Sequence, residues 1–192
     1  MHLTRDDLYS LEQYAQLRGD FRAKVMAHKK NRQVPLGAHA TLYFEDRLTM
    51  QYQIQEMLRV ERIFEAEGIQ DELDAYNPLI PDGSNWKATF MLEYEDPEKR
   101  RAALARLLGI EDRIWVQVDG SDKVYAVADE DLEREDDSRT SSVHFLRFEL
   151  TAPMVAAVKG GASVSAGVEH PGYERHVVMS PQVRDSLADD LV

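Results

Sequence analysis

The 192-residue chain contains no cysteine. This absence excludes disulfides, thiolate metal ligands, cysteine nucleophiles and an iron–sulfur cluster ligated by cysteines of this chain. A bound metal ion would have to use histidine, aspartate or glutamate side chains.

Long apolar segments are also absent. No apolar run approaches the roughly 20 residues needed to cross a bilayer. The first residues, MHLTRDDLYS, lack the basic flank and apolar centre of a secretory signal. We therefore predict no membrane association and a cytoplasmic location. A hydrophobic fraction of 43% with 30% charged residues indicates a soluble globular protein.

The common mechanistic motifs are missing as well. The chain has no GxGxxG or GxxxxGK phosphate-binding loop, no GxSxG nucleophile elbow and no HExxH pair. Sequence motifs therefore leave open whether the protein is an enzyme.

Positive charge is scarce, since the formal net charge is −12. This argues against nucleic-acid binding, which depends on many Lys and Arg contacts to phosphates. The segment RGDFRAKVMAHKKNR, residues 18–32, nevertheless holds six Lys or Arg against one Asp. We predict either a solvated helix face or a basic arm that docks on an acidic protein partner or on a second copy of the chain.

Hydrophobic periodicity and breaker residues predict an α+β fold. Residues 1–77 read as a helical N-terminal section whose first helix begins at residue 5, and residues 78–192 as an α+β sheet section. We expect one compact unit, with the N-terminal helices packed on a small mixed, mainly antiparallel sheet that carries helices on one face.

On a helical wheel, a carboxylate interrupts the apolar stripe of the longest predicted helix, from about residue 47 to residue 68. On a helical wheel, Glu61 lies about 20° from Met50 and between Phe64 and Ile54. A buried charge must be paired, neutralised or bound to a ligand. The wheel therefore predicts a buried Glu61 with a specific partner.

The segment SSVHFLRFEL predicts a central strand covered on both faces. Alternation places His144 and Leu146 on one face and Phe145 and Arg147 on the other, so each face mixes apolar and ionisable residues. Arg147 is the expected counter-charge of Glu61.

Three interpretations of these residues remain open. In the first, Glu61 or Glu65 forms a salt bridge with Arg147 or Arg62, and His144 is a hydrogen-bonded core residue. In the second, Glu61 and Glu65 join His144 or His170 in a site for iron, manganese or zinc.

The third interpretation is a pocket for a small anion whose rim is the turn-rich segment NPLIPDGSNWK, itself also explicable as a helix-to-strand connector. Its cations would be Arg147, Lys87 and Arg62, and its hydrogen-bonding groups Asn77, Asn85 and Tyr76. The sequence HPGY at residues 170–173 predicts a surface turn. The alternative is a metal-binding or proton-transfer role for His170.

Three runs, FEDRLTMQYQIQEMLRVERIFE, ELDAYNPLIPDGSNWKATFMLEY and TSSVHFLRFEL, resemble an uncharacterised bacterial family catalogued as a domain of unknown function. Genes of that family often lie beside rubrerythrin and an iron–sulfur protein similar to heterodisulfide reductase subunits. The resemblance implies an accessory or binding protein of a redox or peroxide-stress system, with an iron–sulfur or rubrerythrin-like protein as partner. The alternative is a metal-binding or small-anion-binding enzyme built on Glu61, Glu65, His144 and Arg147.

Overall fold

A computed structural model describes residues 2–130 and 138–192. Most of the predicted acidic loop, DEDLEREDDSR, falls on 131–137 and lies outside the described residues.

Six α-helices occur in the described part of the chain. They are α1 (Leu11–Lys29), α2 (Arg47–Glu61), α3 (Ala66–Tyr76), α4 (Pro97–Arg106), α5 (Ala152–Lys159) and α6 (Pro181–Ala188). Short 3-10 turns add Arg5–Asp7, Asn77–Leu79 and Ile110–Arg113.

The strands among the described residues form two sheets. They are β1 (Gln33–Pro35), β2 (Ala40–Glu45), β3 (Asn85–Leu92), β4 (Ile114–Val118), β5 (Val124–Tyr125), β6 (Val127–Ala128), β7 (Val143–Glu149), β8 (Val164–His170) and β9 (Tyr173–Val178). One sheet has the order β1-β2-β3-β7-β6 and the other the order β5-β4-β8-β9. The predicted α+β class is thus confirmed, with two sheets whose described strand pairs are all antiparallel.

The N-terminus differs from its prediction. Arg5–Asp7 is only a 3-10 turn, and α1 begins at Leu11 after Ser10, whose hydroxyl accepts a hydrogen bond from the Gln13 backbone N–H. Both Thr4 and Ser10 are N-cap residues, so the pattern at Thr4 marks a real helical start that ends after one turn.

Two apolar clusters form the interior. The larger one fills the space between the sheets and helices α4, α5 and α6, and includes Phe90, Trp86 and Leu187. The smaller one joins α2 and α3 through Ile54, Leu58 and Leu73. The helical section therefore has its own apolar contacts, while β1 and β2 of the same section belong to the five-stranded sheet.

In the part of the chain that the structure describes, no helix is both long enough and apolar enough to span a membrane.

Candidate functional site

The predicted burial of Glu61 is wrong. Helix α2 ends at this residue, and Arg62 takes the left-handed conformation with φ 55°. The buried stripe of α2 runs through Met50, Ile54 and Leu58 and stops there. Glu61 has the right angle on the wheel, but it lies one turn beyond the core and is exposed.

Arg147 has other carboxylate partners than Glu61. Its guanidinium donates two hydrogen bonds of 2.9 Å to Glu130 and one of 2.7 Å to Glu149. These bonds raise the pKa of Arg147 and lower that of Glu130. The predicted Glu61–Arg147 pair is therefore absent.

The predicted anion pocket is only partly assembled. Lys87 and Arg147 are register partners on β3 and β7, and Asn85 donates to Glu149 at 3.2 Å, so these three lie close together. Burial lowers the pKa of Lys87. Because Glu130 and Glu149 already contact Arg147, an anion there would have to displace a carboxylate.

The other predicted hydrogen-bonding residues lie elsewhere. The side chain of Asn77 accepts from the backbone N–H of Leu3 at 2.8 Å and donates to its carbonyl at 2.9 Å. Asn77 therefore fastens the N-terminal segment to the end of α3. Tyr76 is half-buried beside a separate cavity, and Arg62 is exposed at the end of α2.

Two of the predicted metal ligands lie apart from His144. Glu65 is an exposed N-cap residue of α3. His170 lies 2.9 Å from the carbonyl of Leu108 through Nε2, and its Nδ1 accepts from the Gly172 N–H at 3.0 Å. Both ring nitrogens of His170 thus hold a turn, and the predicted metal set of Glu61, Glu65, His144 and His170 does not come together.

His144 itself is fully buried and lies between two carboxylates. It is on β7, opposite Phe90 of β3. Asp129 directly follows β6, the other neighbour of β7, and Glu111 lies on the 3-10 turn that precedes β4. One ligand atom from each of His144, Asp129 and Glu111 lies within 4.8 Å of the other two.

Short contacts hold this buried cluster. The Nδ1 of His144 lies 2.5 Å from Oδ2 of Asp129, and Oδ1 of Asp129 accepts from the Phe145 N–H at 2.9 Å. On the other side of the ring, Nε2 lies 3.7 Å from Oε2 of Glu111. The hydroxyl of Thr140 lies between them, 2.8 Å from Nε2 and 3.2 Å from Oε2 of Glu111.

Oxygen atoms that accept hydrogen bonds lie beside both ring nitrogens of His144. Since an ionised carboxylate only accepts hydrogen bonds, Nδ1 carries the proton that Asp129 accepts. The carbonyl oxygen of Ser141 also only accepts and lies 3.1 Å from Nε2, so this contact needs a proton on Nε2, which a bound metal ion would replace. A carboxylate on one ring nitrogen commonly orients a histidine whose other nitrogen binds a metal ion.

Sequence reasoning identified His144 but missed Glu111 and Asp129. The three residues are 18 and 15 positions apart along the chain, with no ligand spacing of a known motif. The available sequence signal is the position of Asp129 directly after KVYAVA, residues 123–128, whose composition predicts a strand. In the structure Asp129 takes the left-handed conformation with φ 47°, which aspartate tolerates better than most residues.

Comparison with known proteins identifies relatives along the full length of the chain. The family model described as "Protein of unknown function (DUF3501)" matches residues 2–191. A crystal structure of a novel protein of unknown function from Burkholderia pseudomallei K96243 is similar, with 56% sequence identity, a TM-score of 0.95 and coverage of 100% of both chains. No curated protein matches the chain.

Proposed function

This chain belongs to the DUF3501 family of proteins of unknown function, and we propose that it binds a divalent transition-metal ion through His144 and Glu111, with Asp129 as the carboxylate that orients His144. The observation that carries the proposal is the meeting of one imidazole and two carboxylates, with ligand atoms within 4.8 Å of one another and the histidine fully buried.

The donor set selects a class of metal. Imidazole nitrogen and carboxylate oxygen suit manganese, iron(II) and zinc, whereas copper(I) prefers sulfur ligands. Asp129 would orient His144 through Nδ1, while Nε2 and Glu111 would contact the ion. The Thr140 hydroxyl would turn away from Nε2 or join the ligands.

Metal content of untagged protein tests this proposal. We expect about one equivalent of manganese, iron or zinc per chain by elemental analysis. His144→Gln and Asp129→Asn should each weaken binding at least about tenfold, as loss of a ligand or of its orienting carboxylate typically does. Because protons compete for histidine and carboxylate ligands, affinity should also fall as the pH decreases.

The matched control is His170→Gln, which removes a half-buried histidine outside the cluster. Circular dichroism establishes that each variant is folded. Equal metal content in wild type, His144→Gln and Glu111→Gln would refute the site.

The proposed biological role is that of a cytoplasmic accessory protein in a redox or peroxide-stress system. Its support is the resemblance described above, to a family encoded beside rubrerythrin and an iron–sulfur protein. A partner of that kind should co-purify with the chain from a bacterial lysate and contain iron. Failure to recover such a partner would refute this role without affecting the metal measurement.

A further inference from the structure

A second site is suggested by an open cavity of about 500 Å³ between helices α1 and α2 and the five-stranded sheet. It lies on the sheet face that carries Tyr43 and Phe145, opposite the face that carries Phe44 and Leu146. Its volume falls in the range of small-molecule pockets. The apolar lining contains three methionines, whose flexible side chains adapt to a ligand, together with Leu79, Val143 and Phe145; the methionines are Met26, Met50 and Met91.

A buried carboxylate belongs to the wall of this cavity. Glu45 is only 8% exposed, and its two oxygens accept hydrogen bonds from the hydroxyls of Thr49 at 2.6 Å and Thr89 at 2.8 Å. No Lys, Arg or His nitrogen of the described residues lies within 4.0 Å of this carboxylate. Two neutral hydroxyls leave lone pairs of Glu45 available for a cationic donor.

Two lysines, Lys29 and Lys30, line the cavity, whereas the nearby Arg32 does not. The guanidinium of Arg32 donates to the backbone carbonyl of Glu45 at 3.1 Å and forms a salt bridge with Asp190. Lys29 places its ammonium over the ring of Tyr52, and neither it nor the exposed Lys30 forms an ion pair within the described part of the chain. The cavity therefore presents one buried negative group and two lysines beside an apolar wall.

From this arrangement we infer that the cavity binds a small zwitterion with an apolar side chain, of the amino-acid class. Its ammonium group contacts Glu45, its carboxylate faces Lys29 and Lys30, and its side chain packs on Met91 and Phe145. A simple amine would meet the repulsion of two lysines, and a simple acid would meet that of Glu45, so the zwitterion matches the charges best.

Isothermal titration calorimetry with matched probes tests this inference. The probes are L-phenylalanine, L-leucine and L-methionine, together with phenethylamine and 3-phenylpropanoate, which each retain one charge of phenylalanine. We expect at least one amino acid to bind, and removal of either charge of the phenylalanine framework to weaken binding at least about tenfold, as loss of a charged hydrogen bond does. Failure of all three amino acids to bind would overturn the inference.

Two variants test which residue contacts each charged group of the bound amino acid. Glu45→Gln should weaken amino-acid binding at least about tenfold and remove the preference over 3-phenylpropanoate. Lys30→Ala changes an exposed residue and should reduce the preference over phenethylamine, with Lys29 retaining the rest, so it decides the question even if Glu45→Gln fails to fold. Wild-type affinity in both variants would contradict the assignment.

The proposed metal site at His144 supplies an independent control. His144 points from the opposite face of β7 to that of Val143 and Phe145, which line the cavity. His144→Gln should therefore retain amino-acid binding as long as it folds. The two proposals fail or succeed separately.

Discussion

At the scale of single residues, buried charges in this protein are held by several partners at once. Arg32 is 2% exposed, and its guanidinium donates to the carbonyls of Phe44, Glu45 and Ser186 and to the carboxylate of Asp190. A buried charge is tolerated only when its donors are satisfied in this way. Arg32 thereby connects the end of the basic segment 18–32 to the C-terminal helix, so part of that segment's charge is neutralised within the chain.

The carboxylate of Glu56 provides a pH-dependent prediction. The hydrogen bond from Arg18 is the main cause that lowers the pKa of Glu56 to about 2, with Tyr14 and Arg59 contributing further hydrogen bonds. Because the pKa is lower in the folded state than its ordinary value of 4.5, the stabilisation is complete above that value and is lost as the pH falls toward 2. Glu56→Gln should reduce the free energy of unfolding at pH 7 by about 1 kcal/mol.

Urea unfolding at pH 7, 4.5 and 3 measures this effect. The difference between wild type and Glu56→Gln should shrink at pH 3, where part of the wild-type stabilisation is lost. Glu67→Gln, a change at an exposed residue of α3, is the control. An equal difference at pH 7 and pH 3 would show that the charge of Glu56 is irrelevant.

At the scale of secondary-structure elements, the start of a helix is easier to predict than its end. Asp96 followed by Pro97 marks the start of α4, because a cap acceptor and a proline at the first position have local signatures. The end of α2 has no such signature. It depends on Arg62 taking a conformation that usually favours glycine, so the sequence predicts a helix that continues to Gly68.

Strands can be predicted from local sequence, but their neighbours in the sheet cannot. The run KVYAVA, residues 123–128, predicts one strand that forms a hairpin with the strand RIWVQV. The structure confirms this pairing for β5, which pairs with β4, but β6 pairs with β7 instead. Alternation predicts that a strand is extended, while its neighbour is chosen by the packing of distant segments. For this reason the burial of His144 was accessible from sequence, whereas its contacts with Asp129 and Glu111 were not.

The N-cap of α4 provides a prediction at this scale. The carboxylate of Asp96 accepts hydrogen bonds of 2.9 Å from the backbone N–H groups of Glu98 and Lys99. Asp96→Ala should lower the free energy of unfolding by about 1 kcal/mol, since those donors lose their acceptor. Chemical denaturation monitored by circular dichroism measures the change. The neighbouring Glu95→Ala removes an exposed carboxylate without removing a cap and should have little effect, so equal losses in the two variants would contradict the capping role.

At the scale of the whole molecule, the two apolar clusters raise the question of cooperativity. The helical cluster around Ile54 and the larger cluster around Phe90 are separate sets of buried contacts. Strands β1 and β2, which lie between α1 and α2 in the chain, are built into the five-stranded sheet. Because the chain passes from helix into sheet and back within residues 29–47, we expect loss of the helical cluster to destabilise the sheet.

A core substitution in the helical cluster tests whether the chain unfolds as one unit. Ile54 is fully buried, and Ile54→Ala should cost about 3 kcal/mol through lost apolar contacts and the cavity that remains. Trp86 and Trp115 both lie in the sheets, so tryptophan fluorescence reports the sheet section while far-UV circular dichroism reports the helices. We expect both signals to shift together to the same lower midpoint. Phe64→Ala, at a residue that is 69% exposed, is the control and should leave both midpoints unchanged. A fluorescence midpoint that stays at the wild-type value while the circular dichroism midpoint falls would show that the helical section unfolds on its own, because only a physically separate core can lose stability without lowering that of its neighbour.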